Sequence, residues 1–307
     1  MHLTEGMLPL PQAVGWAAVS APLVIWSVRE EQQARQATTT SSIVMAGATS
    51  LLFAATLLPI PVPVLGASSH ICLTPVLALV VGLRRIVWPS FLVLLLHAIF
   101  FAHGGITTLG INTLTLGVLG PLAAIGTWTL LRRLGVSSTL GLALACGAGD
   151  LSVYVLDAAV LAVALADVAA PMTTFTGVLL GFAPVQLPLA VLEAIVSVGI
   201  VRLIATRRAD LLPRPLQALR GVPALGAATS VLLLSVLTCG CGGEGIDATI
   251  FGETARAAGR PPTDSIIDLS QGETGLSMSI LILFALGFVA GRSWERLGRG
   301  ERDALPR

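Results

Sequence analysis

Long apolar stretches alternate with short polar stretches along most of this 307-residue chain. A stretch of about 18 or more apolar residues is long enough to cross the hydrocarbon core of a bilayer as a helix. Hydropathy predicts nine spans, at residues 12–28, 43–58, 72–83, 86–103, 108–131, 139–167, 174–205, 223–241 and 275–292. The pattern therefore predicts an all-α integral membrane protein. Its third segment is short for a full crossing.

The composition agrees with this class. Hydrophobic residues make up 54% of the chain and charged residues 11%, whereas about a quarter of the residues in soluble domains are charged. A soluble globular domain is excluded, and a net charge of +1 gives no sign of nucleic-acid binding. The four cysteines are scattered and form neither a disulfide framework nor a Cys-x-x-Cys metal motif.

The arginines predict the orientation of the spans. With the N-terminus outside, sixteen of the 18 cations fall in cytoplasmic segments, and only Arg256 and Arg260 fall in outer ones. Because cytoplasmic loops are enriched in Arg and Lys, we expect nine helices in the cell inner (plasma) membrane, with the N-terminus outside and the C-terminus cytoplasmic. Arginines follow the first span instead of preceding it, which is the reverse of a secretory signal, so we expect the N-terminus to be retained.

The extreme N-terminus carries three nitrogen donors that are adjacent along the backbone. They are the α-amine of Met1, the amide nitrogen of His2 and the imidazole of His2. Together they can close two fused chelate rings around one divalent metal ion, and a deprotonated amide favours the square-planar geometry that suits Ni(II) or Cu(II). The alternative is a frayed terminus with His2 in solvent.

A fourth nitrogen is expected from the loop between the second and third spans. This loop lies on the same predicted side as Met1, and it ends at His70. Prolines at 59, 61 and 63 prevent regular helix. Non-helical backbone near the membrane is tolerated only where it is buried in protein or lines a cavity. We therefore expect the loop to fold inward and to bring His70 to the chelate.

Other polar residues are candidates for supporting or pathway roles, namely His103, Thr107, Thr108, Asn112, Asp150, Gln186 and Glu193. Threonine and asparagine side chains can hydrogen-bond an imidazole and fix its tautomer. Ordinary polar packing between helices is an equally suitable role for Thr107 and Thr108. Intramembrane carboxylates are functional candidates, although Asp150, Tyr154 and Asp157 are equally suited to link helices. Gln186 and Glu193 are seven residues apart and are expected to face inward. No residue is predicted to be catalytic.

His97 lies six residues before His103 on the same predicted helix. Six residues rotate a helix to a position about 120° away, so we expect the two side chains not to share a face. The small residues Ala13, Ala17 and Ala21 form a ridge on the first span. Such a ridge is either a docking surface for another membrane subunit or internal packing.

Arginines and prolines between residues 206 and 222 divide the chain into three parts. Residues 1–205 are predicted to form a seven-helix metal-binding unit, 206–222 a cytoplasmic linker, and 223–307 a two-helix accessory unit with a polar outer loop. The acidic residues of that loop either gather cations electrostatically or form a solvated connector.

Several motifs recur in the order typical of one family. They are Met1-His2-x-x-Glu5-Gly6, Ser68-Ser69-His70, His103-Gly104-Gly105-x-Thr107-Thr108-Leu109-Gly110-x-Asn112, Gly120-Pro121, Gly149-Asp150 and Pro184-x-Gln186-x-Pro188-Leu-Ala-x-x-Glu193. Residues 1–205 resemble the CbiM/NikM family, the substrate-binding (S) components of energy-coupling factor ABC transporters for cobalt and nickel. The C-terminal pair of spans resembles a fused two-helix accessory subunit of the NikN/CbiN type.

This resemblance implies a membrane subunit that captures Co²⁺ or Ni²⁺, for cobalamin biosynthesis or for nickel metalloenzymes. It implies that the metal is held by the Met1 amine, the His2 amide and imidazole, and His70. It also implies two kinds of partner, a transmembrane coupling (T) subunit and a cytoplasmic ABC ATPase pair. The chain has neither a phosphate-binding P-loop nor a lysine, so we expect it not to be an enzyme. The only expected ligand is the transported ion, with no cofactor.

Two other functions are considered. An intramembrane metalloenzyme using His70, His97 and His103 would need three convergent ligands and an open water position. A structural subunit that binds no metal would keep its function after His2→Ala and His70→Ala substitution.

Overall fold

The computed structural model describes residues 3–57, 60–62, 67–101, 103–167, 169–220 and 256–260. This part of the chain is helical apart from its loops and one short two-stranded hairpin. The helices are α1 (Leu10–Ala37), α2 (Thr39–Leu57), α3 (Thr74–Val81), α4 (Leu83–Phe100), α5 (Leu109–Leu114), α6 (Gly120–Arg133), α7 (Ser138–Ala164), α8 (Pro171–Arg207) and α9 (Arg214–Gln217). In the hairpin, β1 (Ile60–Val62) pairs antiparallel with β2 (Ala67–Ser69).

Six helical stretches are long and apolar enough to cross a membrane. They are α1, α2, α4, α7, α8 and the continuous stretch Leu109–Arg133, in which a π-helical turn at Thr115–Leu119 joins α5 to α6. The chain is therefore a multi-pass membrane protein, as predicted. The predicted spans 223–241 and 275–292 lie outside the described residues, so the count of nine and the orientation of the termini stay predictions.

The third predicted span, 72–83, is not a full helical crossing. α3 has eight residues and is about 12 Å long, less than half of a hydrocarbon core of about 30 Å. Non-helical residues from His70 to Leu73 precede it, and Leu73 adopts φ 53°. This agrees with the prediction that the third segment is too short for a full crossing, and the described residues of the preceding loop are non-helical as predicted.

The helices run between two distinct ends of the bundle. At one end, the turn between α3 and α4 meets the end of α1, where Arg85 donates to Glu31 from Nε at 2.9 Å and from Nη2 at 2.7 Å. Arg84 lies 3.5 Å from Glu30 at the same place. We call this the arginine end. At the opposite end, which we call the site end, the N-terminal segment Leu3–Pro9 meets the loop between α4 and α5.

α1 packs against α4 and α5. A Cβ atom at Gly110 of α5 would lie 2.5 Å from the backbone nitrogen of Ala17, so only glycine allows this close approach. Ala13 is buried, whereas the side chains of Ala17 and Ala21 are exposed. Of the predicted ridge, Ala13 and the backbone at Ala17 therefore serve internal packing, and a docking role for the exposed alanines stays a prediction.

The predicted linker at 206–222 is partly a packed element. α8 continues to Arg207, and α9 follows after a short 3₁₀ turn. Leu212, Leu216 and Leu219 are buried at 4%, 1% and 0% exposure and join the main hydrophobic core. These leucines bury their side chains against the helices, so the described part of this segment packs on the bundle, and its role as a cytoplasmic linker stays a prediction.

The described residues 256–260 contact the site end. Arg260 donates from Nη2 to the backbone oxygen of Ala164, at 2.8 Å, and to Oδ1 of Asp167, at 3.0 Å. Both acceptors lie at the end of α7. This contact agrees with the prediction that Arg260 and the connection after the sixth span lie on the same side.

Candidate metal-binding site

The N-terminal segment lies inside the bundle. Leu3 is 1% exposed and Met7 is fully buried. The backbone N–H of Leu3 donates to Oδ1 of Asn112 at 3.0 Å. The backbone oxygen of Leu3 accepts hydrogen bonds from the Thr108 hydroxyl, at 2.6 Å, and from Nδ2 of Asn112, at 3.1 Å. Residues at the start of α5 therefore fix both polar backbone groups of Leu3.

Glu5 is held by the same loop. Its carboxylate accepts the Thr107 hydroxyl at 2.5 Å and the Thr107 backbone N–H at 3.1 Å. The backbone N–H of Gly6 donates to the Thr107 hydroxyl oxygen at 3.4 Å. A Cβ atom at Gly105 would lie 2.5 Å from Oε2 of Glu5. The loop after His103 thus has the shape and the donors that receive the N-terminal segment.

Thr107, Thr108 and Asn112 were candidates for hydrogen bonds to an imidazole, and for Thr107 and Thr108 ordinary polar packing was the alternative. The hydrogen bonds found for them in the described part of the chain go mainly to Leu3, Glu5 and Gly6. Glu5 itself was missed as a supporting residue. Glu5 could have been identified from the sequence, because an acidic side chain close to a buried terminus needs hydrogen-bond donors. Thr107 supplies these donors.

Three histidines cluster at the site end. His70 follows β2 and is 3% exposed, with its ring centroid 5.0 Å from that of His103. The ring of His97 lies 5.7 Å from that of His103. The prediction that His97 and His103 point apart was wrong because α4 ends at Phe100. Beyond that residue the chain turns back, and the His103 N–H donates to the His97 backbone oxygen at 3.3 Å.

The two loop histidines are neutral at pH 7. Burial lowers the pKa of His70 well below its usual value of 6.5. Burial also lowers the pKa of His103 to about 4. Neutral imidazole is the form that binds a metal ion. The ring of Phe53 packs edge-on against His97, with centroids 4.6 Å apart, and gives the cluster an apolar wall.

No three His, Cys, Asp or Glu side chains among the described residues are placed to hold a metal ion. The clustering of His70, His97 and His103 therefore does not by itself build the three-ligand site that a metalloenzyme needs. The two other predicted ligand residues, Met1 and His2, lie outside the described residues.

The buried polar residues of α7 and α8 link helices. Asp150 accepts a hydrogen bond from Nε2 of Gln186 at 2.8 Å, and the Tyr154 hydroxyl donates to the Leu179 backbone oxygen. Glu193 is 0% exposed and accepts the backbone N–H groups of Cys72 and Leu73. The inward-facing prediction for Gln186 and Glu193 is confirmed.

These features define a class: a multi-pass helical membrane protein that holds its N-terminal segment inside the bundle, beside buried neutral imidazoles. A family model described as "CbiM: Cobalt uptake substrate-specific transmembrane region" matches residues 2–211. The chain belongs to this family.

Two relatives differ in how much of this chain they match. The "Cobalt transport protein CbiM" of Geobacter sulfurreducens is 30% identical over 310 residues, which covers 97% of this chain and 90% of that protein. The "Cobalt transport protein CbiM" of Sorangium cellulosum is 36% identical over 228 residues, which covers 73% of this chain and 99% of that protein. The second relative therefore matches almost in full while leaving about a quarter of this chain unmatched.

Solved structures share the fold. A "transition metal transporter" superposes with a TM-score of 0.59 at 18% identity, and covers 69% of this chain and 96% of that one. A "Truncated Transition metal Transporter" gives a TM-score of 0.56 at 19% identity, and covers 64% of this chain and 94% of that one. At these identities the likeness concerns the fold alone.

Proposed function

We propose that this chain is the metal-capture subunit of a transporter that imports Co²⁺ or Ni²⁺. The printed names of its relatives support cobalt transport, and the buried, neutral imidazoles support binding of a transition metal ion. The ion binds from the outer side, is stripped of water, and is released inward when partner subunits change conformation. The chain itself is not an enzyme.

The proposed ligand set has four nitrogens: the amine of Met1, the amide and imidazole of His2, and the imidazole of His70. One observation carries this proposal. Leu3, the residue after His2, is held at both of its backbone polar groups by Thr108 and Asn112. The same loop begins at His103, whose ring contacts His70. Buried hydrogen bonds within the bundle therefore fix the residue next to the proposed chelate.

The proposed partners are a transmembrane coupling subunit and a cytoplasmic ABC ATPase pair in the plasma membrane. Nine spans, an outer N-terminus and a cytoplasmic C-terminus belong to the same proposal. Residues 223–307 act as an accessory unit of the NikN/CbiN type. This division is supported by the family match, which ends at residue 211, and by a relative that matches almost in full while covering 73% of this chain.

The test compares metal binding by the purified chain with that of two extended versions. One carries a few extra residues before Met1, and the control carries the same residues after Arg307. Ni(II) and Co(II) are titrated against a competing chelator. We expect the N-terminal extension to weaken binding at least ~100-fold, because it replaces the amine ligand by an amide, and the C-terminal extension to change nothing. Equal binding by the N-terminally extended protein would exclude the amine as a ligand.

A further inference from the structure

The segment His70–Leu73 is non-helical backbone among the described residues. It connects the hairpin to α3, and all four of its residues are buried. Backbone N–H groups of such a segment have no water to bind, so the protein must supply acceptors. The positions of those acceptors then determine the path of the segment.

Glu193 supplies them. Its Oε2 accepts the N–H of Cys72 at 3.0 Å, and its Oε1 accepts the N–H of Leu73 at 2.9 Å. Glu193 lies on α8, about 120 positions further along the sequence, and its side chain is completely buried. Because both oxygens are used, the carboxylate fixes the direction of the segment as well as its position.

Helix α7 also packs against the chain just after this segment. α3 begins directly after Leu73, and its Pro75 packs on Gly149 of α7 so closely that a Cβ there would lie 2.8 Å from Cγ of the proline. α8 therefore contacts the backbone of Cys72 and Leu73, and α7 contacts Pro75, directly after His70 in the chain. Nδ1 of His70 lies 3.3 Å from the backbone oxygen of Ile71, so the imidazole is coupled directly to the backbone that Glu193 holds one residue further on.

We propose that Glu193 is a positioning residue for His70: it clamps the Cys72–Leu73 backbone and so aims the imidazole at the metal ion. This inference rests on the proposed function, because it assumes that His70 is a ligand. It assigns to an α8 carboxylate a role in metal affinity without contact with the metal. It also couples α8 to the ligand, so a displacement of α8 moves His70.

The test is a double-mutant cycle between Glu193→Gln and His70→Ala, with Ni(II) affinity as the measurement. Glutamine can accept one of the two backbone N–H groups, but its NH₂ group cannot accept the other. We expect Glu193→Gln to weaken binding by roughly 10-fold to 100-fold, the range typical of residues that orient a ligand. In the His70→Ala background the same change is expected to have almost no further effect, because no imidazole remains to be aimed.

Two controls separate positioning from a general loss of structure. Ser197→Ala alters a buried polar residue one turn further along α8 and is expected to leave Ni(II) affinity unchanged. Glu193→Asp keeps both acceptor oxygens and is expected to retain more affinity than Glu193→Gln. If Glu193→Gln does not remain folded by gel filtration, the cycle is run with Glu193→Asp, whose smaller loss must also vanish without His70.

Cu(II) bound in place of Ni(II) gives a second readout. Its electron paramagnetic resonance spectrum resolves the coordinated nitrogens, and we expect Glu193→Gln to shift the spectrum towards that of His70→Ala. Wild-type affinity in the Glu193 variant, or the same loss with and without His70, would overturn the inference while leaving the proposed site intact. Wild-type affinity in His70→Ala would instead overturn the proposed ligand set.

Discussion

At the arginine end Glu31 binds two guanidinium groups, whereas at the site end Glu5 binds a hydroxyl and a backbone N–H. Arg35 and Arg85 approach Glu31 within 2.9 and 2.7 Å. Glu5 takes both of its described bonds from Thr107. The two carboxylates are thus satisfied by donors of different charge.

This difference matters for a cation site. A guanidinium group next to Glu5 would neutralise the carboxylate and repel a divalent cation. Neutral donors hold the carboxylate in place and leave its charge to attract a cation. Glu193 likewise takes neutral backbone N–H donors and no guanidinium group among its described hydrogen bonds. We infer that ion pairs hold the helices together at the arginine end, whereas neutral hydrogen bonds fix the ligand-bearing segments at the site end.

The largest expected effect is on stability, at the arginine end. Glu31→Ala removes a carboxylate that is 2% exposed and bridges α1 to α4 through Arg85. Removal of one partner from a buried pair costs about 3 kcal/mol, towards the low end of the usual range because both arginines are partly exposed. We expect a lower thermal midpoint with unchanged Ni(II) affinity. A loss of affinity as large as that of His70→Ala would contradict the separation of the two ends.

Acid pH is expected to weaken the site end. The folded-state pKa of His103, about 4, lies below its usual value of 6.5. Above pH 6.5 the His103 imidazole is neutral in both the folded and the unfolded state, so it does not lower the free energy of unfolding. Between pH 6.5 and about 4 the unfolded chain takes up a proton that the folded chain does not, so stability falls. At pH 5 the loss is about 2 kcal/mol.

The measurement is the thermal midpoint at pH 7.5 and at pH 5 for the wild type and for His103→Phe, both without metal. The wild type is expected to lose more stability than the variant, because phenylalanine does not titrate. An equal loss in both proteins would place the acid sensitivity elsewhere.

Asn112→Leu is expected to free the N-terminal segment with a smaller loss of stability. The change leaves the buried N–H of Leu3 without its acceptor, at a cost of about 1 to 2 kcal/mol. Metal affinity is expected to fall because the residue after His2 is no longer fixed. Protease cleavage within the first ten residues, followed by mass spectrometry, reports the loosening, and Thr113→Val on the same helix is the control. An Asn112→Leu protein as resistant as the control would contradict the anchoring role.

The smallest effect is expected for Arg84→Gln. Arg84 is 64% exposed in its side chain and lies 3.5 Å from Glu30. Exposed pairs of this kind contribute about 0.5 kcal/mol or less. The thermal midpoint should therefore stay close to that of the wild type, and Glu31→Ala serves as the comparison. A large drop would show that the whole arginine end acts as one network.

The membrane class and the long helices could be predicted because apolar length alone determines them. The shortness of the third segment could also be predicted, but the contacts that hold the backbone before α3 could not. Hydropathy measures how apolar residues 72–83 are, but it does not reveal that a carboxylate far along the chain, Glu193, satisfies the backbone of Cys72 and Leu73. Long-range acceptors of this kind allow a crossing to leave the helical conformation, and no local pattern signals them.

The contact between the rings of His97 and His103 was not predicted, and the reason is local. After Pro89 the apolar run continues to the end of α4 without a glycine or proline, and the next glycine comes at Gly104. The helix nevertheless ends at Phe100, so the angle calculated between His97 and His103 did not apply. The burial of His70 was predictable, because a proline-rich loop next to a membrane has to fold against the protein.

The measurement that tests the account most directly is X-ray absorption of the Ni(II)-loaded protein with its native N-terminus. We expect a planar set of four nitrogen ligands in the wild type. His70→Ala is expected to show three nitrogens and one oxygen from water, and His97→Ala is expected to keep four nitrogens. A six-coordinate, oxygen-rich site in the wild type, or an unchanged spectrum in His70→Ala, would contradict the proposed four-nitrogen site.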